Sequence, residues 1–131
     1  MYLDGNVTVI VSDLDRSVRF YTEVLGLRVR RRMGNDWAEI EAPGLTIGLH
    51  PASKHGPKPG KSESLSIGLS VDKLEPAMEQ LTKRGISFSP KISEDGPVRL
   101  AFFKDLDGTP LYLCEPKIKD PFMVRQGFKP A

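Results

Sequence analysis

Small, mostly uncharged residues recur at alternate positions of several strand-like segments, and these are the residues that we expect to contact a ligand. Exposed sheet faces more often carry long charged side chains, which keep a sheet soluble and resist edge pairing. A face of small residues therefore predicts a hollow of the kind that small ligands occupy, unless the two half-sheets simply pack closely with no usable cavity. The residues of this face are Asn6, Thr8, Thr46, Gly48, Ser66, Gly68 and Ser70.

Three larger side chains accompany these small ones. His50 lies two positions after Gly48, so we expect it on the same side of its strand, where an imidazole can act as a base or contact a ligand. A histidine at the rim or in a structural role fits the same position. Tyr112 and Trp37 are the best candidates for stacking on a planar ligand, and filling a core is the alternative for both.

Arginines in one strand are the strongest charge feature. The alternation predicts that Arg28, Arg30 and Arg32 share one strand face. On a concave face they would grip an anionic group, whereas on an outer edge they would prevent unwanted strand pairing, which we favour. Glu39 and Glu41 are the expected cross-strand partners.

A repeated helix signal organises the chain. Two segments, 13–26 and 72–85, each begin with Asp and end with Gly, and each follows an alternating strand-like segment. Asp13 and Asp72 are expected to cap the two helices, because a short carboxylate accepts hydrogen bonds from the free amides of a first turn. Each helix carries one apolar stripe at helical spacing, which predicts one buried face per helix.

Alternating apolar residues predict strands around both helices. The clearest lie near 7–11, 27–33, 45–49, 65–71 and 111–114, and weaker ones at 36–41, 87–92 and 98–104. The order is strand, helix, three strands, and then the same again. The segment 105–108, with sequence DLDG, is expected to be a turn between two strands. We therefore predict an α+β fold.

The remaining segments set the domain boundaries. We interpret residues 1–131 as one domain, with a first module at about 5–50 and a second at about 64–115. Between them, 51–63 is rich in Pro, Gly and Lys and is expected to be a linker or lid. The tail 116–131 contains Phe122, Met123, Val124 and Phe128, so we expect it to dock on its own domain or on a partner subunit.

Composition excludes several classes of protein. The chain has 19 basic and 17 acidic residues, a formal charge of +2, so no nucleic-acid partner is expected. It has no apolar run long enough to span a bilayer and no secretion leader, which predicts a cytoplasmic protein without a membrane partner. One cysteine excludes an internal disulfide framework and a Cys-clustered zinc site.

Three runs carry a resemblance to a known family: VTVIVSDLDRSVRFYTEVLGLRV at 7–29, LSIGLSVDKLEPAMEQLTKRGISF at 65–88 and FFKDLDGTPLYLCEP at 102–116. Together they resemble the vicinal oxygen chelate superfamily, which includes glyoxalase I, extradiol dioxygenases, fosfomycin-resistance enzymes and bleomycin-binding proteins. The resemblance implies paired βαβββ modules that form a curved mixed sheet around a cleft, with helices on the outer face. It also implies a homodimer.

Enzymes of this family hold a divalent metal with side chains from the first and last strand of each module. The resemblance places those four positions at Asn6, Gly48, Ser66 and Tyr112 of this chain. None of the four is His, Cys, Asp or Glu, and a glycine side chain offers no donor. We therefore expect no family metal and no other cofactor, and the catalytic residues are unknown.

The leading hypothesis is a metal-independent protein that binds a small planar or amphipathic molecule for sequestration, resistance or sensing. The ligand-binding residues would be Asn6, Thr8, Trp37, Gly48, His50, Ser66 and Tyr112. One alternative is a glyoxalase-like lyase or dioxygenase-related enzyme with a relocated or lost metal that uses His50, Glu39 or Tyr112. Another is a dimeric interaction module without a ligand.

Overall fold

The computed structural model describes residues 1–117 and contains two helices and two four-stranded mixed sheets, as the α+β prediction requires. Two compact units divide the described chain. The first comprises 1–62 with 105–109, and the second comprises 63–104 with 110–117. The predicted docking of the tail concerns residues that lie almost entirely outside the described part of the chain.

The first unit contains a sheet in the order β1-β4-β3-β2. Strand β1 is parallel to β4, and the other pairs are antiparallel. Alternation places one aliphatic set of side chains against the helix, and the central residues of this set, Ile40, Ile47 and Leu49, are fully buried. The strands are β1 (Val7–Val11), β2 (Arg28–Met33), β3 (Trp37–Ala42) and β4 (Leu45–Pro51).

The helix of the first unit begins where the sequence predicts. Asp13 is its N-cap, and the Asp13 carboxylate accepts a hydrogen bond from the backbone N–H of Arg16 at 3.0 Å. The α-helix α1 (Leu14–Arg19) continues as a wider π-helical turn (Phe20–Val24), which the sequence pattern did not predict. Gly26 follows with a φ of 79°, a conformation that only glycine adopts readily.

The second unit repeats this topology with a sheet in the order β5-β8-β7-β6. Strand β5 is parallel to β8, and helix α2 packs on β7 and β8. Its buried core includes Leu74, Leu81, Phe103 and Leu111. The elements are β5 (Ile67–Ser70), α2 (Leu74–Lys83), β6 (Ser93–Asp95), β7 (Val98–Lys104) and β8 (Pro110–Pro116).

Two predictions for the second unit are wrong. Asp72 is not the helix cap: the N-cap is Lys73, and a Glu115 carboxylate oxygen from β8 accepts from the N–H of Leu74 at 3.3 Å. No strand spans 87–92, and the strand in this region is β6 instead. The first error arises because a carboxylate distant in sequence, and not a local side chain, bonds the first turn of α2. In the second, the N–H of Ser89 does donate to the Phe102 carbonyl of β7 at 2.8 Å, but the regular pairing with β7 begins only at Ser93.

The predicted turn at 105–108 forms and belongs to the first unit. The Asp105 carboxylate accepts from the backbone N–H groups of Asp107 and Thr109 at 2.9 and 2.8 Å, and from the buried hydroxyl of Tyr21 at 2.8 Å. Asp107 in turn accepts from the N–H of Ser12 at 3.0 Å. Hydrogen bonds therefore fix the turn to Ser12, just before the helix N-cap, and to Tyr21 in the π-helical turn that follows α1, and its carboxylates have partners within the protein.

Candidate functional site

The face of the first sheet opposite α1, which we term the far face, carries the polar, charged and aromatic side chains that are best suited to bind a ligand. Strand register lines them up in rows across the sheet. One row runs Thr8, Gly48, Glu39, Arg31, because Thr8 pairs with Gly48, Gly48 with Glu39, and Glu39 with Arg31. Directly opposed residues in neighbouring strands project to the same side of a sheet, so this polar row is continuous across all four strands.

Two further rows flank the polar row. One of these rows contains Ile10, His50, Trp37 and Met33. Within it, Ile10 pairs with His50, and Trp37 pairs with Met33. The rings of Trp37 and His50 meet edge to face at 6.3 Å between centroids. In the row on the other side, Glu41 is the register partner of Thr46 and forms an ion pair with Arg28 at 2.8 Å. The far face thus changes from largely apolar at Trp37 to ionic at Glu41, along a single strand.

Trp37 takes the space that the side chain of residue 48 would otherwise occupy. A Cβ built on Gly48 would lie 2.2 Å from Cη2 of the Trp37 ring, so only glycine lets the ring approach the β4 backbone this closely. The ring is half-buried and its Nε1–H donates to Glu39 Oε2 at 2.8 Å. Trp37 is therefore held in one orientation on the face away from the helix.

Glu39 is a buried carboxylate on this face, with 5% of its surface exposed. Its Oε2 accepts a second hydrogen bond, in addition to that from the Trp37 indole, from the Arg31 guanidinium at 2.8 Å. The hydrogen bond from Arg31, followed by that from Trp37, holds the pKa of Glu39 below its usual value. Glu39 is consequently ionised at neutral pH, and it is the one buried acid on the described far face.

A β-bulge changes the predicted placement of the arginines. Val29 and Arg30 together oppose Ile40, and the register shifts between Val29 and Arg31. Arg28 and Arg31 therefore pair with Glu41 and Glu39 on the far face, and the Arg30 guanidinium reaches Asp4 at 2.9 Å.

The prediction that Arg32 shares this face is wrong. Its guanidinium instead bonds the Asp15 carboxylate of α1, at 2.6 Å. The extra residue of the bulge inverts the alternation after Arg30, which a strict two-residue period cannot anticipate. The predicted partnership of Glu39 and Glu41 with the arginines is confirmed.

The other predicted site residues of the first unit are exposed. The Asn6 side-chain oxygen accepts from the Thr8 hydroxyl at 2.8 Å. His50 Nδ1 lies 2.8 Å from the carbonyl oxygen of Pro51. Because a carbonyl only accepts, Nδ1 carries a proton, and in a neutral ring Nε2 is left as an acceptor. The structure thus brings Asn6, Thr8, Trp37, Gly48 and His50 onto or beside one face.

In the second unit an aromatic ring also lies on a glycine. A Cβ on Gly68 would lie 2.2 Å from the Tyr112 ring, and Tyr112 meets Phe102 at 5.9 Å between ring centroids. Ser66 is exposed and immediately precedes β5. The rows of this face place aromatic rings beside small residues, with Lys104 paired to Pro110 at one end, and they contain no buried carboxylate among the described residues.

The four family metal positions do not fit a divalent cation. In the first unit they are an exposed amide, Asn6, and a glycine, Gly48, whose side-chain space is filled by an indole ring. In the second they are an alcohol, Ser66, and a phenol, Tyr112. Within residues 1–117, no three His, Cys, Asp or Glu side chains lie together as a metal-binding group. These are not the carboxylate and imidazole donors that such ions require.

Sequence reasoning missed how central Glu39 is to the far face. It was predicted only as a partner of the arginines and as a residue of the alternative enzyme. One signal was present: Glu39 lies two residues after Trp37, so the two must share a face of β3. Its burial had no signal in the sequence, because it depends on Arg31 and on a bulge in another strand.

Comparison with known proteins agrees with this architecture. Residues 5–124 match the family described as Glyoxalase/Bleomycin resistance protein/Dioxygenase superfamily. The chain belongs to this superfamily. Lactoylglutathione lyase of Schizosaccharomyces pombe is 29% identical over 135 residues, which cover 81% of this chain and 45% of that protein. The chain thus spans about half the length of this relative.

Solved structures share this fold, and one of them is described as a member of the same superfamily. A member from Sphaerobacter thermophilus has a TM-score of 0.72 and 25% identity, covering 88% of this chain and 98% of that one. TnmS3, an antibiotic binding protein from Streptomyces sp. CB03234, has a TM-score of 0.66 and 24% identity, covering 88% and 98%. In the described residues 1–117, no helix is long and apolar enough to cross a membrane.

Proposed function

We propose that this protein binds a small aromatic or amphipathic molecule on the far face of its first sheet, without the metal of its enzymatic relatives. The observation that carries the proposal is the Trp37 ring lying on Gly48, at the position where the family places a metal-binding carboxylate. A half-buried indole held in a fixed orientation gives a ligand ring a large contact area at little entropic cost.

The rows of the far face also support this function. The row with Trp37, His50 and Met33 offers apolar and aromatic contact, and the adjoining row offers hydrogen-bonding groups. Pockets for small molecules combine these features. An antibiotic-binding protein among the structures of the same fold is consistent with sequestration or resistance as the biological role. We further propose that the protein acts as a homodimer.

Thermal shift against aromatic antibiotics and conjugated metabolites tests the proposal. A ligand that binds only the folded state stabilises it by about 2.7 kcal/mol at 100 times its Kd, which raises the unfolding midpoint. Trp37→Ala should abolish the shift. Val29→Ala is the matched control, since Val29 pairs with Ile40 on the opposite face of the same sheet and should leave the shift unchanged.

Three results would contradict the proposal. A flat response across a broad library would favour the interaction module without a ligand, and a shift that survives Trp37→Ala would place binding elsewhere. Stoichiometric divalent metal in protein purified without chelator would contradict the metal-free mode. Gel filtration with light scattering tests the dimer.

A glyoxalase-type lyase is the second candidate function. Identity of 29% to a lactoylglutathione lyase favours it, although that enzyme is about twice as long as the matched region. An assay of lactoylglutathione formation, with and without added zinc or nickel, tests this candidate. Turnover that is lost on Glu39→Gln and on chelation would support it, and absence of turnover under both conditions would remove it.

A further inference from the structure

One oxygen of the buried Glu39 carboxylate lacks a hydrogen-bond partner. Oε2 accepts from both Trp37 and Arg31, but Oε1 is buried with no donor from the described residues within hydrogen-bond distance. The ion pair that involves Oε1 is with Arg30, whose Nη1 lies 3.8 Å away, beyond hydrogen-bond distance. A buried acceptor without a donor is costly, more so when it is charged, so such an atom in a native fold calls for an explanation.

Arg30 is held away from Oε1 by other groups. Its Nη1 is 2.9 Å from Asp4 Oδ2 and makes a long hydrogen bond, 3.4 Å, to the Thr46 hydroxyl. The Asp4 carboxylate is 56% exposed and the Arg30 side chain 40% exposed. An exposed ion pair of this kind contributes little to stability, so the end of Arg30 can be displaced at little cost.

We propose that Glu39 Oε1 receives a hydrogen bond from the ligand, and that the ligand is therefore an aromatic molecule with a hydroxyl or N–H donor at its edge. This inference rests on the proposed function and specifies its ligand class. Because Glu39 is ionised and has one fully occupied oxygen, a ligand group here must donate. A carboxylate or an ether oxygen at the same place would face the Glu39 charge and gain nothing from it.

Matched pairs of small probes test the inference on the intact chain. Phenol is compared with anisole, and indole with 1-methylindole, since each second member has the same ring but no donor. Trp37 is the only tryptophan of the chain, so its indole N–H gives a single cross-peak in a 15N-labelled sample. Titration of that peak measures each dissociation constant at the site itself. We expect the donor of each pair to bind at least about tenfold more tightly.

Glu39→Gln should abolish this preference. The amide oxygen must take the Oε2 position to accept from Trp37 and Arg31, which puts the NH₂ group, a donor, at the Oε1 position. Phenol should then lose its advantage of about tenfold over anisole. Glu41→Gln is the matched control, because Glu41 lies two residues further along the same face and is also paired with an arginine, Arg28.

The outcomes separate this inference from the proposed function. If no probe of either kind moves the Trp37 peak, binding on the far face is wrong and the inference fails with it. If both members of each pair bind equally, the site exists and the donor requirement is wrong. Equal losses in Glu39→Gln and Glu41→Gln would also overturn it. The wild-type pairs decide the matter even if Glu39→Gln does not fold.

Discussion

At the scale of single residues, the far face depends on close approach between an aromatic ring and a glycine. Gly48 is required because any Cβ there would overlap the Trp37 ring, and the ring in turn brings its N–H to Glu39. The same device appears independently in the second unit, where Tyr112 lies on Gly68. In both units, the space beside a small residue that the sequence suggested was part of a hollow is occupied by a neighbouring aromatic ring.

Gly48→Ala should displace Trp37. Because the added Cβ would lie 2.2 Å from the ring, the indole must move and its hydrogen bond to Glu39 is expected to break. We expect a loss of about 1–3 kcal/mol in the free energy of unfolding, with Trp37 emission shifted to longer wavelength. Gly5→Ala is the control, since a Cβ there meets nothing within 4 Å. Unchanged emission in Gly48→Ala would contradict this packing.

At the scale of elements, helix α1 and the turn at 105–109 are joined by a buried polar contact. The Tyr21 hydroxyl, fully buried, donates to the Asp105 carboxylate at 2.8 Å. Burial raises the pKa of Tyr21 far above its usual value, and the charge of Asp105 raises it further. The phenol therefore stays neutral in the fold and keeps its proton available to Asp105.

Tyr21→Phe should cost about 1–3 kcal/mol of stability at pH 7, because Asp105 loses a donor while remaining buried. The pH dependence should also change. Since the folded pKa of Tyr21 is raised, its contribution is complete below about pH 10, the usual tyrosine pKa, and is lost as pH rises above that value.

Urea unfolding between pH 7 and 11 measures both effects. The wild type should lose stability in the alkaline range more steeply than Tyr21→Phe. Tyr2→Phe, at a position that is 90% exposed, should match the wild type throughout. Equal alkaline slopes in wild type and Tyr21→Phe would show that the hydroxyl is not buried as described.

At the scale of the whole molecule, arginine–carboxylate networks occur in both units. Arg99 of β7 bonds Glu75 of α2 and Glu115 of β8, and Arg31 bonds Glu39. The hydrogen bond from Arg99 lowers the pKa of Glu75, and that from Lys117 lowers the pKa of Glu94. These depressed carboxylate pKa values tie the stability of the described chain to pH.

Stability should fall on acidification. A carboxylate with a lowered folded pKa contributes fully above its usual value, about 4.3, and the contribution is lost as pH falls through the folded pKa. Arg99→Gln should therefore lower the free energy of unfolding more at pH 7 than at pH 3. Lys83→Gln, which breaks the exposed pair with Glu79, should have little effect at either pH. A loss for Arg99→Gln that is the same at both pH values would contradict the network.

The sequence alone determined the repeated strand–helix–strand order, the N-cap at Asp13, the turn at 105–108, and the residue types at the four positions where the resemblance places the family metal, none of which is His, Cys, Asp or Glu. These features are local: they follow from residue period, cap chemistry and the type of residue at one position. Only the tertiary structure decided the bulge after Val29, the burial of Glu39, the placement of Trp37 on Gly48 and the capping of α2 by Glu115. Each of these depends on contacts between elements that are distant in sequence, and a linear pattern contains no measure of those contacts.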